Sequence, residues 1–144
     1  MAEPVETERI AASLMALQQR LGGQYGALSR PQFRLLLALQ DNHRTISELA
    51  DTVRLSSPGV TQMVDKLQTS GYVTRQSHPD DQRAVLVKMT ASGVTALALA
   101  AGAYHSRVAE VLSALSDDEK QTLRILLESS HSPRSNTQSY TAAP

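Results

Sequence analysis

Between Ser56 and Arg83 the chain carries side chains suited to reading hydrogen-bond donors and acceptors, and few suited to breaking bonds. Gln62 presents a donor and an acceptor side by side, the arrangement that pairs with an adenine edge. Thr61 can bond a base or touch a thymine methyl. Lys66 and Thr69, further along, suit phosphate oxygens, and Ser56, Ser57 and Pro58 stand at the start of the same segment. Arg75 adds a cation. Arg83 closes the polar run His78-Pro79-Asp80-Asp81-Gln82-Arg83 and is a long cation suited to a narrow, electronegative minor groove. Asp81 is expected to restrain Arg75 or Arg83, a hairpin ion pair worth under ~1 kcal/mol if exposed. Taken alone, the small polar residues also fit an ordinary solvated helix face.

Covalent chemistry has no matching constellation. There is no Ser/His/Asp or Cys/His grouping and no Gly-rich phosphate loop, so the chain does not read as an enzyme. With no cysteine there is no disulfide, thiolate metal site or thiol switch. His43, His78, His105 and His131 are scattered, without an i, i+4 pair, so neither a metal nor a cofactor is expected. The formal net charge is zero, so any phosphate affinity must come from local placement. Across residues 54–88, Arg54, Lys66, Arg75, Arg83 and Lys88 stand against Asp65, Asp80 and Asp81. No apolar run is long enough to span a membrane and no leader pattern is present, which makes the cytoplasm the expected location.

The elements that must position these side chains are mostly helices. Hydrophobic residues make up 41% of the chain and aromatics 3%, a balance typical of helix-on-helix packing. Ile10, Leu14, Leu17 and Leu21 predict an amphipathic helix from Val5 to about Gly22, broken by Gly22, Gly23 and Gly26. Ser29 and Gln32 have capping-box spacing, and Phe33, Leu36 and Leu37 supply the buried face of a second helix. After a turn at Asp41–Arg44, Thr45 and Glu48 form another box, opening a short helix lined by Ile46, Leu49, Ala50 and Val53. Arg54-Leu55-Ser56 is a tight turn. Ser57 then caps a helix with Pro58 at its first position, Val60, Met63, Val64 and Leu67 inside, and Gly71 as its left-handed end. Two short helices around a tight turn predict a helix-turn-helix, its second helix shaped for a major groove. Tyr72–Gln76 and Ala84–Met89 read as the strands of a hairpin, and so as a wing. From Thr90 an apolar stripe runs through Val94, Leu97, Ala98, Ala101, Tyr104, Val108, Val111, Leu112 and Leu115. A last helix opens at a Ser116–Glu119 box with Leu123, Leu126 and Leu127 inside. From about Ser130 the composition predicts a disordered tail.

The run Leu67–Arg75, followed by Pro79-Asp80-Asp81-Gln82-Arg83 and Val85–Gly93, resembles the signature of the MarR family of bacterial transcription regulators, with Met89 where that family usually has leucine. Leu28-Ser29-Arg30-Pro31-Gln32-Phe33 is similar to the family's entry to its second helix. The resemblance implies a mainly α fold with a small β-hairpin wing: a winged helix-turn-helix (29–90) between dimerisation helices at 1–28 and 91–129, with a tail at 130–144. It implies a homodimer on a pseudo-palindromic double-stranded DNA site, acting as a repressor released by a small aromatic or lipophilic effector. The effector would sit in a cleft lined by Leu14, Leu17, Tyr25, Phe33, Leu37 and Tyr104, residues whose alternative role is plain core. Family members often carry arginine where Gln62 stands, so base preference does not transfer. The near-neutral charge leaves a second function open, a winged-helix module for protein–protein contact without specific DNA binding. A long helix with a continuous apolar stripe exceeds what so small a module can cover, which independently points to a partner.

Overall fold

The computed structural model describes residues 3–131. The expected tail lies outside the described residues from 132 onward. Two compact units divide the chain, one ending at Val108 and the other beginning at Ala109.

The first unit opens with α1 (Glu3–Leu21), then a two-stranded hairpin, β1 (Gln24–Tyr25) and β2 (Leu28–Ser29). Next come α2 (Arg30–Ala38), β3 (Arg44–Thr45), α3 (Ile46–Val53) and α4 (Ser57–Thr69). The hairpin β4 (Val73–Ser77) and β5 (Val85–Met89) leads into α5 (Ala91–Val111). The second unit contains the end of α5 and then α6 (Asp117–His131).

Local signals account for most of the boundaries. Ser29 and Gln32 satisfy each other's backbone N–H groups, the reciprocal box that their spacing predicts. At Thr45 the box is half made: its hydroxyl accepts from Glu48 N–H at 3.1 Å. The Glu48 carboxylate turns instead to Arg44, 3.8 Å away. Gly71 has φ +82°, as a helix end of this kind requires. Two expectations need correction. Ser56, not Ser57, is the cap of α4: its hydroxyl accepts from Gly59 N–H at 3.1 Å, and Ser57 is already helical. Arg44 belongs to a strand rather than to the preceding turn. β3 pairs antiparallel with β5 through Arg44–Val87 and Thr45–Leu86, making a three-stranded sheet in the order β3-β5-β4. Two residues are too short to show a period of two, and only the arrival of β5 supplies their ladder.

The core of the first unit gathers Leu35, Leu36, Leu49, Val60, Val64, Leu67, Val73 and Val87, with Tyr25 and Leu28 from the first hairpin. It fixes α3 and α4 against the sheet, and so sets which face of α4 points outward. Thr90 joins wing to α5. Its N–H donates to Tyr72 C=O at 3.0 Å and its hydroxyl to Gly71 C=O at 2.6 Å, while the Thr90 hydroxyl oxygen itself accepts from Gly93 N–H at 3.0 Å. Gly93 is needed there because a Cβ would run into the Tyr72 carbonyl.

The helices outside this core are poorly covered by their own chain. On α1, Ile10, Leu14 and Met15 are exposed. In the second unit Leu126 and Leu127 are 60% and 50% exposed, against their expected burial, because α6 has no buried residue. The apolar stripe of α5 also ends earlier than its spacing predicts: the helix stops at Val111, and Leu112 and Leu115 fall in turns. The Ser116–Glu119 box forms in full, with Ser116 N–H donating to Glu119 Oε1 at 2.9 Å and Glu119 N–H to Ser116 Oγ at 3.2 Å. The Ser116 N–H, then its hydroxyl, hold the Glu119 carboxyl below its ordinary pKa of 4.5.

Candidate nucleic-acid interface

On α4, Val60, Val64 and Leu67 are buried, which turns Ser57, Pro58, Thr61, Gln62, Asp65, Lys66 and Thr69 outward. Ser56 is exposed beside them, its hydroxyl already engaged as the cap. Thr61 donates its hydroxyl proton to Ser57 C=O at 2.9 Å, and Thr69 donates to Asp65 C=O at 3.0 Å. Each threonine therefore shows a neighbour a lone pair and a methyl, a surface matched to an exocyclic amine or a thymine methyl. Gln62 keeps a whole carboxamide on the surface. Lys66 is exposed at the C-terminal half of the helix.

The wing is a regular hairpin in register from Val73–Met89 to Ser77–Val85. Its tip is organised by side chain-to-backbone bonds. Asp81 Oδ1 accepts from Arg83 N–H at 3.0 Å, and His78 Nδ1 accepts from Asp80 N–H at 3.0 Å. Asp81 thus shapes the turn through the backbone of Arg83, and the expected pairing with an arginine side chain is not made. Short polar side chains favour such local turns over reaching a distant guanidinium. Arg83 is exposed at the tip, and neither it nor Lys66 takes part in an ion pair among the described residues.

Arg75 does not join this outward set. Its guanidinium lies against α4, donating to Asp65 Oδ1 and Gln68 Oε1, each at 2.5 Å, and to Thr61 C=O at 3.3 Å. The strand alternation sends residue 75 toward the helix, opposite Val87 in β5. The sequence showed the charge of Arg75 but not its partner.

A second feature is a cleft of about 320 Å³ lined by Gln18, Leu21, Tyr25, Arg30, Phe33, Arg34, Leu37 and Tyr104. Of the residues expected in an effector pocket, Tyr25, Phe33, Leu37 and Tyr104 come together here. Leu14 and Leu17 do not line it, because only the last turn of α1 reaches the cleft. Tyr25, Phe33 and Tyr104 form an aromatic cluster with centroids 5.2–5.9 Å apart, Tyr25 meeting the other two rings edge-on and Phe33 lying tilted against Tyr104. The Tyr25 hydroxyl donates to Gly22 C=O at 3.1 Å. Arg30 donates to the carbonyls of Gln18 and Gly22, and Arg107 to that of Leu21, so two cations close the C-terminus of α1. Arg30 and Arg34 were absent from the expected pocket. Their one-turn spacing, with Leu37 a further turn on, was the available signal.

Comparison with known proteins decides what this architecture is. A model of the MarR family matches residues 28–84, from the entry of α2 through the wing tip. An HTH-type transcriptional regulator of Mycobacterium leprae is 30% identical over 116 residues, which span 80% of this chain and 81% of its own. The chain belongs to the MarR family. Among other relatives, the HTH-type transcriptional repressor YetL of Bacillus subtilis is 30% identical over 96 residues, or 65% of this chain, and the match spans 58% of YetL. Wild-type MarR from E. coli in its apo form has a TM-score of 0.75 at 25% identity, covering 88% of this chain and 96% of that one. A cysteine-to-serine mutant of the same protein, complexed with operator DNA, has a TM-score of 0.71 at 25% identity over 90% and 96% of the two chains. The fold expected from the sequence, a mainly helical winged helix-turn-helix, is the one present.

Proposed function

We propose that the chain is a homodimeric, sequence-specific DNA-binding regulator of transcription, acting in the cytoplasm as a repressor released by a small-molecule effector. One observation carries DNA binding: the polar face of α4 and the exposed Arg83 belong to the same winged unit, in a fold shared with a MarR protein solved on operator DNA. In this arrangement α4 enters the major groove, Thr61 and Gln62 meet base edges, and Lys66 and Thr69 meet phosphates. Arg83 reaches the flanking minor groove. The exposed apolar residues of α1 and α6 support a second copy as the partner, since leaving Ile10, Leu14, Leu126 and Leu127 in water gives up their burial energy. A two-fold pair would set its recognition helices ~34 Å apart on a pseudo-palindromic site. The aromatic cleft with Arg30 and Arg34 at its rim supports an aromatic or lipophilic effector.

Fluorescence anisotropy with a duplex from upstream of the protein's own gene tests this function. Arg83→Ala is expected to weaken binding by ~1–3 kcal/mol at fixed salt. Lys66→Ala should lower affinity evenly across sequences and reduce the salt slope by about one per lost phosphate contact. If no fragment binds more tightly than unrelated DNA, the chain is instead a winged-helix protein-contact module; if a fragment binds but Arg83→Ala leaves its affinity unchanged, the minor-groove role of Arg83 is wrong.

A further inference from the structure

We propose that Arg75 is a latch between wing and recognition helix, which positions the base-reading residues and screens the Asp65 carboxylate from DNA. The inference rests on the DNA-binding function above and assigns Arg75 a role other than phosphate contact.

Arg75 sits in the middle of β4, and its three acceptors are Thr61, Asp65 and Gln68. These are spaced i, i+4 and i+7, one above another along a single face of α4. One guanidinium therefore ties the wing strand to three positions over two turns of helix. Its rigid planar fork can meet the three acceptors at once, which an ammonium group on a flexible stem would not do. The Thr61 carbonyl belongs to the peptide joining Thr61 to Gln62, so the bond to it bears directly on the two residues that would read bases. Asp65, 61% exposed in its side chain, lies on the same outward face as Thr61 and Lys66. An unpaired carboxylate there would face phosphates, and the Arg75 guanidinium, whose side chain is only 27% exposed, neutralises it from behind. Lys66, beside it on the helix, makes no ion pair among the described residues and stays available to DNA.

A double-mutant cycle on the full chain decides the matter, read by anisotropy with the upstream duplex and by amide hydrogen exchange without DNA. Arg75→Gln should weaken binding by at least tenfold, with the wild-type salt slope kept. In an Asp65→Asn background the same change should cost less than threefold. Arg75→Lys should not restore affinity. Without DNA, Arg75→Gln should speed exchange at the amides of β4 and of the second half of α4. Equal losses in both backgrounds, with the slope lowered by about one, would mean that Arg75 contacts phosphate directly, and the latch would be wrong. If the wild-type chain binds no fragment, the DNA-binding function falls. Exchange then judges the latch alone: unchanged protection in Arg75→Gln overturns it, and faster exchange confined to β4 and α4 supports it.

Discussion

Alanine at Gly93 and alanine at Gly102 are the same change in the same helix, α5, and should move stability in opposite directions. Helix propensity alone favours alanine by at most ~1 kcal/mol at either site. At Gly102 a Cβ meets nothing within 4 Å, so Gly102→Ala should stabilise the protein by about 0.5–1 kcal/mol. At Gly93 the added carbon would strike the Tyr72 carbonyl oxygen and the Met89 side chain. Met89 can swing aside. The carbonyl cannot, because it accepts from Thr90 N–H at 3.0 Å while Tyr72 N–H is tied to Leu67 C=O at 2.9 Å. Making room means losing the Thr90 bond, about 1 kcal/mol net. Forcing a methyl into a filled site costs about 1–3 kcal/mol more. After the propensity gain, Gly93→Ala should destabilise by about 1–3 kcal/mol. The assay is urea unfolding followed by far-UV circular dichroism at one fixed protein concentration, since a dimer's stability depends on concentration. Gly93→Ala within about 0.5 kcal/mol of wild type would refute the steric argument. A loss at Gly102 would instead show that another surface covers that side of α5.

Ser56→Ala should cost about 1 kcal/mol of stability through loss of the α4 cap, and Ser56→Asp should recover most of it. A change in operator affinity with no change in unfolding would show that Ser56 acts on DNA instead. The Glu119 carboxyl, held below its ordinary value by Ser116, should support α6 fully above pH 4.5. That support should be lost as the pH falls through the lowered folded-state value. Ser116→Ala removes the hydroxyl but keeps the N–H, so it should move the Glu119 titration, read by carboxyl NMR shifts, only part of the way back up toward 4.5; a wild-type titration already at 4.5 would contradict the box.

What the residues determine unaided is local. Ser29 with Gln32, Ser116 with Glu119, and Gly71 at a helix end act within three or four positions of chain, so their spacing carries the outcome. The apolar periods of α3 and α4 likewise show which side of each helix is buried, and with it the polar face that would meet DNA. Other features depend on chain segments meeting in space. β3 becomes a strand only beside β5, some forty residues later. Arg75 is a bare cation in the sequence, and ten residues separate it from the carboxylate that holds it. Arg30 and Arg34 mark a cleft only once Tyr104 arrives from α5. Leu126 and Leu127 carry a core-like spacing but stay exposed, because hydrophobic periodicity says that a face should be covered and not by which chain. Caps and periods are properties of one helix. Latches, ladders and clefts are properties of two or more elements, and packing alone chose their partners.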